Sequence, residues 1–175
     1  MAKQYGFIID TERCVDCRAC VTSCKSANGV ELGIAWRRVT TTWKGSFPKT
    51  TFRSVSMACN HCAKPSCVAV CPQKAISKRA EDGIVLVDRT KCIGCRTCEK
   101  ACPYQAPQYG KDGFMQKCSL CVERVRAGRQ PACVGTCPAG ALSFGAMDDL
   151  PGLAGARTFK RLEGATEPSI LVPTS

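Results

Sequence analysis

The 175-residue chain has one histidine, 6% aromatic residues and no apolar run of 18 residues. Each shortage excludes something. Nothing reads as a Ser–His–Asp set around the single histidine, His61, and no glycine-rich phosphate loop is present, so no substrate pocket or catalytic residue is expected. Without a long apolar run, no membrane span is expected. The opening residues lead straight into the short apolar stretch Gly6–Asp10, too short for a signal peptide, and no twin-arginine stretch precedes it. A formal charge of +11 would suit a nucleic-acid binder, but there is no long basic run and no binding motif, so nucleic acid is not expected as a partner. The few aromatics predict a small core.

What the chain has is cysteine, 16 residues in four sets of four. The third set reads Cys92-x2-Cys95-x2-Cys98-x3-Cys102-Pro103. The first, Cys14-x2-Cys17-x2-Cys20-x3-Cys24, has the same spacing with Lys25 where proline would stand. The second, Cys59-x2-Cys62-x4-Cys67-x3-Cys71-Pro72, has a wider middle gap. The fourth is Cys118-x2-Cys121, then eleven residues, then Cys133-x3-Cys137-Pro138. Such a count in a short chain suggests a disulfide scaffold, but grouping in fours at ligand spacing points to metal. Three thiolates within seven residues can wrap three corners of an iron–sulfur cube, as in bacterial ferredoxins, where the last cysteine reaches across to the other cluster. Structural zinc sites use two separated cysteine pairs, which leaves a zinc protein as a remote alternative. An oxidised cube with its four thiolates carries about −2, so four of them would bring the chain to about +3.

Short strands are expected at 5–10 and 141–144, and a hairpin from 75–77 to 83–88 around an Asp-Gly turn. A second hairpin is expected near 36–55, covering the clusters with Trp36 and Trp43 in the core; the alternative is a docking surface of Trp36, Trp43, Arg37 and Arg38. Val122–Gly128 reads as a short helix ended by glycine. His61, between two ligands, is expected to hydrogen-bond near a cluster and tune it. The second and third sets with their hairpin make one two-cluster unit, which leaves the first and fourth to pair around it. The expected fold is therefore α+β: two ferredoxin-like units, one inserted in the other, with short hairpins and a long irregular C-terminal tail. The outer unit spans 1–58 plus 104–147, the inserted unit 59–103, and the tail 148–175. The tail either is disordered or hugs the surface, or it wraps a partner, anchored by Ile170, Leu171 and Val172. With the last cysteine crossing over, the predicted ligand groups are Cys14, Cys17, Cys20 with Cys137; Cys118, Cys121, Cys133 with Cys24; Cys59, Cys62, Cys67 with Cys102; and Cys92, Cys95, Cys98 with Cys71.

The stretch from Cys92 to Pro107, ending Ala101-Cys102-Pro103-Tyr104-Gln105-Ala106-Pro107, and the stretch from Pro131 to Leu142 resemble the four-cluster iron–sulfur subunit of the dimethyl sulfoxide reductase family of molybdenum or tungsten enzymes. The likeness covers residues 5–145. It implies four [4Fe–4S] clusters, since Cys98 stands where some relatives lack a cysteine and hold a [3Fe–4S] centre. It also implies single-electron transfer between a large molybdopterin catalytic subunit and a second carrier, a quinone-reactive membrane subunit or another redox protein. The protein would then be cytoplasmic, or periplasmic or membrane-associated through co-export or docking with those partners. The alternative is a free-standing polyferredoxin or a hydrogenase-type electron-transfer subunit.

Overall fold

The computed structural model describes residues 3–153 and 155–174. Strand β1 (Tyr5–Ile9) is apolar and almost wholly buried. Helix α1 (Ala19–Asn28) starts inside the first cysteine set and closes on Gly29, whose φ of 58° suits a residue without a Cβ. Lys25, with an N–H that proline lacks, lets this helix run on past Cys24. The long hairpin pairs β2 (Arg38–Ser46) with β3 (Lys49–Met57), Arg38 opposite Met57 and Ser46 opposite Lys49. The short helix α2 (Ser66–Ala69) follows, then the hairpin of β4 (Ile76–Lys78) and β5 (Val85–Val87). Next come α3 (Thr97–Ala101), the small hairpin of β6 (Gln108–Tyr109) and β7 (Met115–Gln116), α4 (Val122–Arg126) and α5 (Ala132–Gly135). The chain ends through β8 (Leu142–Ala146), α6 (Leu150–Leu153), β9 (Phe159–Arg161) and β10 (Ile170–Pro173).

One four-stranded sheet, ordered β8-β1-β10-β9, ties the two ends of the chain together. β1 runs antiparallel to β8, with Phe7 opposite Phe144, and parallel to β10, with Phe7 opposite Ile170. Side chains alternate across the sheet. Phe7, Ile9, Leu142 and Ile170 face a core shared with Cys20, Ile84, Leu120 and Cys133, while Ile8 and Leu171 face Leu150. Burying each such aliphatic or aromatic side chain is worth about 1.5–3 kcal/mol. Gly6 is required by the close approach of the last strand's lead-in: a Cβ there would lie 2.3 Å from the Ser169 carbonyl oxygen.

Two expectations need correction. The segment 148–175 is no irregular tail within its described residues: Ile170 and Leu171 are buried in the chain's own sheet, which leaves them no role as anchors on a partner. Its approach also runs along the second cysteine loop, where Ala63 N–H donates to Glu167 O (2.8 Å), Lys64 N–H to Thr166 O (3.1 Å) and Ser169 N–H to Asn60 O (3.0 Å). Trp43 is not a core residue. It is 67% exposed, its ring tilted against Phe52 far out on the hairpin, with Phe47 92% exposed at the tip. The base of the hairpin packs over cysteines, and its middle borders an open groove beside Cys14. Trp36 lies half-buried at the base, and its Nε1–H donates to Gln116 Oε1 (2.9 Å).

Candidate metal centres

None of the 16 cysteines is joined in a disulfide. The loops that carry them share one backbone device. In each set the residue two after the first cysteine has positive φ: Asp16 at 54°, His61 at 41°, Gly94 at 68° and Leu120 at 57°. Non-glycine residues seldom adopt this conformation, so four recurrences mark a common loop that folds backbone N–H groups and thiols toward one centre. A second device follows each Cys-Pro. Lys74, Gln105 and Gly140, three residues after Cys71, Cys102 and Cys137, have φ of 49°, 50° and 59°. In two of these the next residue's N–H donates to the sulfur, Ala75 to Cys71 Sγ (3.3 Å) and Ala141 to Cys137 Sγ (3.3 Å). The first set lacks the proline, and its helix carries a substitute: the Asn28 side-chain amide reaches Cys24 Sγ at 3.9 Å and Cys121 Sγ at 3.7 Å.

Three compact, nearly apolar pockets gather twelve of the thiols. One is lined by Cys14, Cys17, Cys20 and Cys137, one by Cys59, Cys62, Cys67 and Cys102, and one by Cys71, Cys92, Cys95 and Cys98. Their empty spaces, open mouths included, are 380, 380 and 340 Å³, near-equal volumes that suit one kind of occupant. The remaining thiols, Cys24, Cys118, Cys121 and Cys133, are all buried. Packing brings thiols of different sets side by side. Cys20 and Cys137 share a core with Cys133; Cys118 packs with Cys59 and Cys102; Cys67 packs with Cys71, Cys92 and Cys98. At the two extremes Cys17 and Cys95 are exposed, and no cysteine of the two inner groups is.

Several features fit a buried anionic cluster. Leu120 N–H donates to Cys118 Sγ (3.3 Å) and Met115 N–H to Cys92 Sγ (3.4 Å), donors that favour sulfur carrying negative charge. Asn60 lines the second-set pocket, and neither atom of its buried amide has a protein partner. Lys117 is buried against the same pocket, its ammonium held by the carbonyls of Val85 and Cys118. Burial pushes the Cys24 and Cys67 thiols up to about 12, with neighbouring sulfur charge adding to it at Cys24, so a metal must displace protons to bind there. A tetrahedral zinc at about 2.3 Å from each sulfur would need thiols about 3.8 Å apart. Among the described residues, no three His, Cys, Asp or Glu are placed to hold one ion. Bound in such a pocket, a [4Fe–4S] cluster gains or loses one electron at a time; the chain supplies the thiols, the N–H donors and the exclusion of water.

His61 sits beside the second-set pocket and bonds to Val85, one of its lining residues. It is fully buried; its Nδ1 accepts from Val85 N–H (3.0 Å), and its side chain lies outside the pocket lining. Burial, with Lys117 and Arg37 nearby, holds it neutral. A lone histidine between two cysteines gives no signal of this structural use.

This arrangement of thiol pockets is that of an iron–sulfur protein. Comparison with known proteins places it further. Residues 50–147 match the family model of the 4Fe-4S dicluster domain, and residues 11–29 that of a 4Fe-4S binding domain. The sequence is 44% identical to one of the chains of the anaerobic dimethyl sulfoxide reductase of Escherichia coli (strain K12), covering 86% of this protein and 77% of that one. It is 40% identical to a subunit of the sulfite dehydrogenase of Allochromatium vinosum, over 83% of this protein and 70% of that one. It is also 40% identical to the thiosulfate reductase electron transfer subunit PhsB of Salmonella typhi, over 85% and 79%. The protein belongs to this family of [4Fe–4S] electron-transfer subunits of reductase complexes, and it is not the catalytic member. No helix among the described residues is long and apolar enough to cross a membrane.

Proposed function

We propose that the protein holds four [4Fe–4S] clusters in the groups Cys14/Cys17/Cys20/Cys137, Cys24/Cys118/Cys121/Cys133, Cys59/Cys62/Cys67/Cys102 and Cys71/Cys92/Cys95/Cys98, and passes single electrons along them in that spatial order. One end meets a large catalytic subunit carrying a molybdenum or tungsten pterin cofactor; the other meets a quinone-reactive membrane subunit or another redox protein. The outer unit, 1–58 with 104–147, then holds the first two clusters and the inserted unit, 59–103, the last two. The compartment is that of the partners, reached by co-export or docking. The observation that carries this reading is exposure: Cys17 and Cys95, at opposite extremes of the series, reach solvent, while the two inner groups have no exposed cysteine. A carrier must be accessible at two points and insulated between them.

The test is elemental analysis of the native complex purified without oxygen. About 16 Fe per copy of this protein, with Mo or W in a larger partner, is expected. The same iron with neither metal and no large partner would make it a free polyferredoxin. Zinc in place of iron would refute the cluster reading.

A further inference from the structure

Arg37 is 1% exposed, yet it faces no carboxylate that would explain a buried guanidinium. One nitrogen, Nη1, donates to the Ser56 carbonyl (3.0 Å) and to Ser56 Oγ (3.1 Å); Nε and Nη2 have no protein partner. Its Cζ stands 5.0 Å from the centre of the Phe7 ring. A buried cation with two unsatisfied donors is costly unless an anion lies beside it. Burial opposes its charge, and the groups that would offset this once they carry cluster charge are Cys133, Cys118, Cys20 and Cys24, with Cys133 in side-chain contact. Those four sulfurs come from two different ligand groups. Ser56 extends the contact, since its Oγ is 3.3 Å from Cys20 Sγ and it lines the Cys14/Cys17/Cys20/Cys137 pocket.

We infer that Arg37 is the counter-charge shared by two adjacent clusters, those of Cys14/Cys17/Cys20/Cys137 and Cys24/Cys118/Cys121/Cys133, and that it sets the potentials of both. The inference rests on the proposed ligand groups. Reduction adds one negative charge to a cluster, and a fixed cation between two of them favours the reduced form of each. It therefore raises both potentials and holds the pair close together for transfer. Arg37 is a positioning residue for charge and touches no substrate.

The experiment is an anaerobic redox titration of the full complex, followed by electron paramagnetic resonance, for the native protein, Arg37→Lys and Arg37→Gln. With about 16 Fe retained, Arg37→Gln is expected to lower two potentials. At fixed potential the oxidised-to-reduced ratio rises about tenfold, which is about 59 mV for a one-electron couple. Arg37→Lys, which keeps the charge, is expected to shift them less. The two affected signals are expected to be those lost in the Cys137→Ala and Cys133→Ala variants. If two signals move but are not those two, the ligand grouping fails while a shared counter-charge survives. No movement, movement of all four, or equal shifts in the Lys and Gln variants would overturn the proposal. If Arg37→Gln does not load iron, Ser56→Ala decides: a fall confined to the Cys20-side cluster upholds the Arg37–Ser56–Cys20 connection, and unchanged potentials overturn it.

Discussion

Whether Cys24 crosses over to the fourth set can be settled by asking if two losses add. Cys24 lies four residues after Cys20 on the same helix, so proximity in sequence would give it to the first group. Its contacts favour the other assignment. The Asn28 amide spans Cys24 Sγ and Cys121 Sγ, and the sulfurs acting most strongly on Cys24 are Cys133 and then Cys121, ahead of Cys20. The variants to make are Cys24→Ala, Cys133→Ala, and both together. Each single substitution removes one thiolate of four, and full loss of that cluster takes the count from about 16 Fe to about 12. If both cysteines serve one cluster, the double variant also keeps about 12, because effects within one unit do not add. Combining Cys24→Ala with Cys20→Ala should instead give about 8, since two clusters are struck. Iron analysis read with the resonance spectra is the assay. About 8 Fe for the Cys24/Cys133 pair, or about 12 for the Cys20/Cys24 pair, would refute the crossover.

Other outcomes follow from single contacts. Asn28→Leu removes both amide contacts to sulfur and should lower one potential, that of the cluster lost in Cys133→Ala, with iron unchanged; a redox titration checks it. Tyr109→Phe removes the hydroxyl 3.1 Å from Cys98 Sγ and should lower only the potential of the Cys71/Cys92/Cys95/Cys98 cluster. Because burial first, and then the Cys98 sulfur, raise the Tyr109 pKa well above its ordinary value, that potential should stay flat as pH rises through the range where a free tyrosine ionises. A downward step there, absent from Tyr109→Phe, would contradict this. Ile170→Asp places an unpaired carboxylate at a fully buried strand position and should cost about 3–5 kcal/mol or block accumulation of the protein. Normal stability in a denaturant titration would mean that the last strand is not integral to the sheet.

The cysteine loops were legible because spacing fixes them, and the hairpin of β4 and β5 because Asp82-Gly83 stands between two apolar runs, with Gly83 at φ 69°. The meeting of β1 with β8 could be read from their places before the first set and after the last. β10 could not. Its partner Phe7 lies far away in the sequence, and Ile170-Leu171-Val172 shows no period to announce a strand buried on both sides. Arg37 was equally hidden, since an arginine beside a tryptophan reads as an interface residue, and only the fold shows it buried against Ser56, Phe7 and Cys133. Trp43 erred the other way: its β-branched neighbours predicted the hairpin correctly, but nothing local says how far that hairpin extends beyond the core.

The sheet order also governs biosynthesis. A ribosome adding about 5–20 residues per second takes about 8–32 s to travel from Ile9 to Ile170. For that interval β1 has been made and its parallel neighbour has not. The cysteines of 59–103 are all made before Cys118 to Cys137, so that segment completes its set of thiols while Cys14 to Cys24 still await the last set, and the sheet that joins β1 to β10 closes last.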